Sequence, residues 1–153
     1  MHVTIYAVVP GETREEALEI AETVFGGLQE RRAFDYYVIC PPTDVHWITD
    51  ITGWETLEAA MSAQDREFLR YLDKVKRILN THTAEDILNS SSSCRDLDLQ
   101  LFRHNCFNLG KYEGYPLIVY SEGGDAVRNC RELQELMAKE KQVLWLVSAD
   151  THF

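Results

Sequence analysis

Apolar residues recur along this chain in two rhythms, close to two in short runs and close to 3.6 in longer ones, and the switches between them mark out the elements. Val3 to Val9 is rich in β-branched and aromatic residues and stops at Pro10-Gly11, which predicts a strand and a turn. Thr13 with Glu16 three residues later reads as a capping box. Ala17, Ala21, Val24 and Leu28, with Leu18 and Phe25 beside them, then supply the stripe of a helix ending near Arg31. Phe34 to Cys40 predicts a second strand, closed by Pro41-Pro42, which cannot continue a ladder.

Past a loop from Thr43 to Trp54, the residues Leu57, Met61, Phe68, Leu72, Val75 and Leu79 predict a long amphipathic helix, with a further helical stretch over Leu97 to Asn108. The run Ser90-Ser91-Ser92-Ser93 between them is short enough to be a loop rather than a linker. Tyr115 to Tyr120 predicts a third strand, Gly123-Gly124 a turn, and Asp125 to Lys139 a helix with Asp125 as its cap. Gln142 to Ser148 predicts a closing strand around the wholly apolar Val143-Leu144-Trp145-Leu146-Val147.

The order is therefore β-α-β, a helical insert over about 54–112, then β-α-β, in one α+β domain covering residues 1–153. Right-handed crossovers in both units favour a ferredoxin-like sheet, with the first and third strands central and the closing strand antiparallel beside the first. The alternative is a mixed, doubly wound α/β sheet. The two arrangements differ at His2 and His152, which are neighbours in the first and lie at opposite sheet ends in the second.

Composition narrows the function. Lysine plus arginine number 15 against 25 acids, a formal charge of -10, so a phosphate backbone is repelled and nucleic acid is not an expected partner. No run reaches the roughly 18 apolar residues of a membrane span, Met1 to Pro10 lacks the basic start of a signal peptide, and the four cysteines form no CxxC pair. A cytoplasmic setting with reduced thiols is expected. Cys40 and Cys130 read as packing residues, Cys130 on a stripe with Val127, Leu133, Leu136 and Met137.

Two segments gather side chains with chemistry. Asp44-Val45-His46-Trp47-Ile48-Thr49-Asp50 places an imidazole and a stacking face on a loop after a strand, where functional groups project from a rigid scaffold. In the tail Ala149-Asp150-Thr151-His152-Phe153, Asp150 and His152 share a face if the segment is extended, and an aspartate can orient a histidine for acid–base work or metal ligation. A catalytic metal would have to draw on Asp44, His46, Asp50, Asp150 and His152. With neither HExxH nor paired CxxC present, no metal site and no cofactor is expected. Tyr120 to Asp125 has the glycines of a phosphate cradle but neither GxGxxG nor GxxxxGK[ST], and its acids oppose an anion.

Phe34-Asp35-Tyr36-Tyr37-Val38-Ile39 after a β-α start, with the terminal Val147 to Phe153, resembles a group of small uncharacterised phage and prokaryotic proteins in which a D-[WY]-[WY]-x-I-G-G-R-W strand is matched by a C-terminal D-x-H. Here Cys40-Pro41-Pro42 stands where Gly-Gly-Arg would fall, while Trp47 stands in for the later Trp. The resemblance adds weight to Asp35, Tyr36, Tyr37, Asp150 and His152 as one site, and implies a phage-type setting in which such a protein counters a host defence.

The expected function is a non-catalytic binding protein that sequesters a small nucleotide-like ligand or docks on a basic host protein. Asp35, Tyr36, Tyr37, His46, Trp47, Asp150 and His152 would line its site. The alternative is a small hydrolase using Asp44, His46, Asp150 and His152 as metal ligands or as acid and base.

Overall fold

A computed structural model describes residues 1–91 and 93–153, so Ser92 of the serine run lies outside the described residues. The chain contains β1 (His2–Pro10), α1 (Arg14–Glu30), β2 (Tyr36–Ile39), β3 (His46–Trp47), α2 (Ile51–Thr81), α3 (Ala84–Leu88), α4 (Leu97–Gln100), α5 (Phe102–Leu109), β4 (Val119–Ser121), α6 (Cys130–Lys139) and β5 (Leu144–His152). It divides into two compact units, one of Met1–Gln64 with Tyr112–Phe153 and the other of Asp65–Lys111.

The first unit is an α+β layer structure around a mixed five-stranded sheet of order β2-β5-β1-β4, with β3 also paired to β5. β5 runs antiparallel to β1 over the full length of both, from His2 opposite His152 to Pro10 opposite Leu144. His2 and His152 are therefore neighbours, which sets the doubly wound arrangement aside.

The sheet also departs from the ferredoxin-like order, because the third principal strand, β4, lies at the edge and runs parallel to β1. Central places go to β1 and β5. The cause is visible in the sequence: Leu144 to Val147 is apolar on both faces and buried throughout, whereas β4 has only three residues. β1 and β2 are both antiparallel to β5 and hence parallel to each other, but β4 and β5 run in opposite directions, so the second β-α-β unit is not a parallel crossover.

α1 covers one face of this sheet with Ala17, Ala21, Val24, Phe25 and Leu28, all buried as the stripe predicts. Its N-terminus is half of the predicted box. Thr13 Oγ1 accepts from Glu16 N–H at 3.2 Å, but the Glu16 carboxylate takes the Glu12 N–H at 2.8 Å instead of that of Thr13. The start of α2 adds Leu57, Ala60 and Met61 to the same core.

α6 begins later than predicted, with Asn129 rather than Asp125 as its cap, because residues 125–127 are held beside β4. Val127 N–H donates to the Val119 carbonyl at 2.8 Å and Ser121 N–H to the Asp125 carbonyl at 2.9 Å. Cys130 is exposed at the first position of that helix rather than packed on its stripe.

In the second unit the later part of α2 buries Tyr71, Val75 and Ile78, while Phe68 and Leu79 of the predicted stripe are exposed. Arg77 forks onto Asp96 at 2.8 and 3.0 Å and onto Asp98 at 2.8 Å. These bonds hold the Asp96 carboxyl well below the usual carboxylate range.

Candidate functional site

Alternation along three paired strands brings the tail, the N-terminal strand and β2 together. His152 stands opposite His2 on one side and opposite Tyr36 on the other, so the three rings form one row across β2, β5 and β1 on the same sheet face. Tyr36 and His152 stack with centroids 5.2 Å apart and planes 7° from parallel, and His2 meets the His152 ring edge-on at 5.3 Å. Each imidazole has a carboxylate. His2 Nδ1 lies 3.0 Å from Asp150 Oδ2, and His152 Nδ1 lies 3.4 Å from Asp35 Oδ2. A carboxylate at Nδ1 favours the proton there and leaves Nε2 as an acceptor toward solvent or a ligand.

The row is a surface, not a pocket. The side chains of His2 and Asp150 are 60% and 54% exposed, and Asp35 is more open still. The same face closes toward its other end, where Tyr6 and Ser148 are half-buried and Val8, Leu144 and Leu146 are buried. Burial raises the pKa of the Tyr6 hydroxyl, consistent with that gradient.

Four of the seven predicted residues, Asp35, Tyr36, Asp150 and His152, meet here. The other three do not. Tyr37 points to the opposite face, where its ring packs on Phe25 and Phe34, and its hydroxyl lies 3.4 Å from the Glu22 carbonyl as a donor. Burial, with the Glu22 charge second, raises its pKa. His46 and Trp47 pair with Leu146 and Trp145, six residues along β5 from His152, a distance of about 20 Å at the rise of an extended strand.

Trp47 packs on Trp145 at 5.3 Å, and α2 starts so close that a Cβ at Gly53 would overlap the Trp47 carbonyl. Asp44, His46, Asp150 and His152 thus share no single coordination shell, since zinc ligands lie about 2 Å from the metal. Among the described residues no group of three or more His, Cys, Asp or Glu side chains is placed to hold a metal ion.

His2 joins the row without having been expected in the site. It lies far from the tail in sequence, and only the register of β1 against β5 brings it beside His152 and Asp150. The one pointer to it in the sequence is that an antiparallel pairing of the first and closing strands makes His2 and His152 neighbours.

The Gly123-Gly124 turn borders a shallow cavity of about 310 Å³ that also touches Gly27, Glu30 and Arg31. Gly124 is required by its φ of 76°. Arg31, the cavity's cation, donates to the Gly124 carbonyl at 3.1 Å and meets Glu113 at 3.2 Å, and Glu30 and Glu122 add negative charge. Arg31 is thus already engaged, and the carboxylates around it oppose an anion.

Fold and site together define an α+β protein with an exposed aromatic and imidazole row on a mixed sheet. Over residues 1–153 the chain matches the family described as a domain of unknown function, DUF7995, and it belongs to that family. No significant match was found among curated proteins or among solved structures. No helix among the described residues is long and apolar enough to cross a membrane.

Proposed function

We propose that this chain is a cytoplasmic binding protein rather than a catalyst, and that the His2, Tyr36 and His152 row receives a positively charged segment of a partner protein. The observation that carries the reading is the chemistry of the row: an exposed tyrosine stacked on a half-buried histidine, flanked by Asp35 and Asp150. A guanidinium stacks on an aromatic face and forks onto carboxylates, so an arginine satisfies both features at once. The net charge of -10 adds attraction at longer range.

A nucleotide-like ligand fits less well. Its base could stack on Tyr36, but its phosphate would meet two carboxylates and no lysine or arginine among the five side chains of the row. The hydrolase reading has less support, because His46 lies about 20 Å from His152 along β5.

Calorimetric titration with an arginine-bearing peptide and, separately, with a nucleoside monophosphate tests the reading. The peptide is expected to bind, and Tyr36→Ala to weaken it by about tenfold, or ~1.4 kcal/mol. Binding of the nucleotide and not the peptide would replace docking with sequestration.

A further inference from the structure

β5 lends its backbone groups alternately to its two neighbours. Phe153 N–H donates to the Met1 carbonyl and Gly11 N–H to the Val143 carbonyl, which assigns the odd-numbered residues of β5 to β1. The even-numbered ones therefore face β2, and Cys40 N–H indeed donates to the Ser148 carbonyl at 2.9 Å. It follows that Tyr36 and Val38 turn N–H and C=O inward, while Tyr37 and Ile39 turn theirs away from the sheet.

β2 ends the sheet on that side, and among the described residues no strand pairs with its outer edge. The edge carries no lysine, and its Val38 and Tyr36 side chains are 63% and 45% exposed. Charge and proline on such an edge are the usual means of blocking strand addition, and here Pro41 and Pro42 only limit its length.

We infer that this edge accepts an extended basic segment of a partner protein as an added strand, with one arginine of that segment over Tyr36 and between Asp35 and Asp150. The inference rests on the docking reading above and supplies its geometry. An added strand lies about 4.8 Å from β2 and presents every second side chain on the face that bears Tyr36, His152 and Asp150. Main-chain bonds to Tyr37 and Ile39 would give affinity, and the carboxylates would select the charge. A second copy of this chain is the wrong occupant, because pairing two β2 edges would bring like-charged surfaces together.

The test uses an eight-residue peptide of alternating arginine and valine, and the same peptide with every backbone nitrogen methylated. With the first, amide exchange at Tyr37 and Ile39 should slow by about tenfold, and the methylated peptide should bind at least about tenfold more weakly. Equal binding of the two peptides would overturn strand addition and leave the docking row standing. Failure of the unmethylated peptide to bind would overturn both readings. Protection of Tyr37 and Ile39 that grows with protein concentration and needs no peptide would assign the edge to self-pairing and overturn the inference.

Discussion

Strands β4 and β2 bound the same sheet, and the chain treats its two edges differently. Beyond β4, Gln64 of α2 is 2% exposed and works as a peptide group would: Oε1 accepts from Ile118 N–H at 3.0 Å and from Val119 N–H at 3.4 Å, and Nε2 donates to the Val127 and Arg128 carbonyls at 2.9 and 3.0 Å. Residues 125–127 complete the seal with two backbone bonds to β4. Beyond β2 there is no such provision among the described residues, and the exposed ring row lies directly beside it. A fold that closes one edge with a buried side-chain amide leaves the other edge as its available surface, and the proposed docking draws on that asymmetry.

The largest expected effect comes from opening the closed edge. Gln64→Leu keeps much of the volume but strips partners from two backbone amides and two carbonyls in a buried setting, and should cost about 3 kcal/mol in urea unfolding. A loss below about 1 kcal/mol would mean that water reaches those groups, and the two edges would then differ less than the hydrogen bonds indicate.

How far the sequence announces this arrangement depends on the range of the forces involved. α1 is legible from its stripe and its threonine cap, β1 and β2 from their β-branched and aromatic runs and proline stops, and β5 from its apolar run, although the strand continues past the expected Ser148 to His152. Strand order is not local. It was settled by which strand is apolar on both faces, and Val143 to Val147 carries that signal although it does not say which neighbours it takes. In the site, Asp150 and His152 are legible because period-two alternation puts them on one face, whereas Asp35 and Tyr36 enter through the resemblance, and only the register of β2 on β5 sets Tyr36 beside His152. His46 and Trp47 mislead because proximity to a strand end says nothing about distance along it. Gln64, a polar residue at a core position of α2, is the kind of local conflict that signals a specific role, here the closure of β4.

A smaller effect should appear on the closed side as the pH falls. Arg128 wraps the Glu132 carboxylate at 2.6 Å and its own N–H donates to the same group at 2.8 Å, so hydrogen bonds from Arg128 hold Glu132 below its ordinary value of 4.5. A carboxylate with a lowered folded pKa stabilises the fold fully above its unfolded value, and that contribution is lost as the pH drops from about 4.5 toward the folded value. Stability measured across that window should fall more steeply in the natural chain than in Glu132→Gln. Identical slopes would show that the segment beyond β4 is held by its backbone bonds alone.

The smallest expected change in stability is on the open side. Val38 stands opposite Asp150, with its side chain largely in solvent, so Val38→Lys should alter unfolding by no more than about 0.5 kcal/mol. Its effect on docking should be large by contrast, because the lysine repels an arginine-bearing segment and competes for Asp150 while leaving every backbone bond of β2 in place. Val38→Glu is the matched variant of opposite charge and should bind the same peptide at least as tightly as the natural chain. If both variants bind equally well, the charge beside Tyr36 does not select the partner, and the contrast between a sealed edge and a receptive one reduces to backbone geometry.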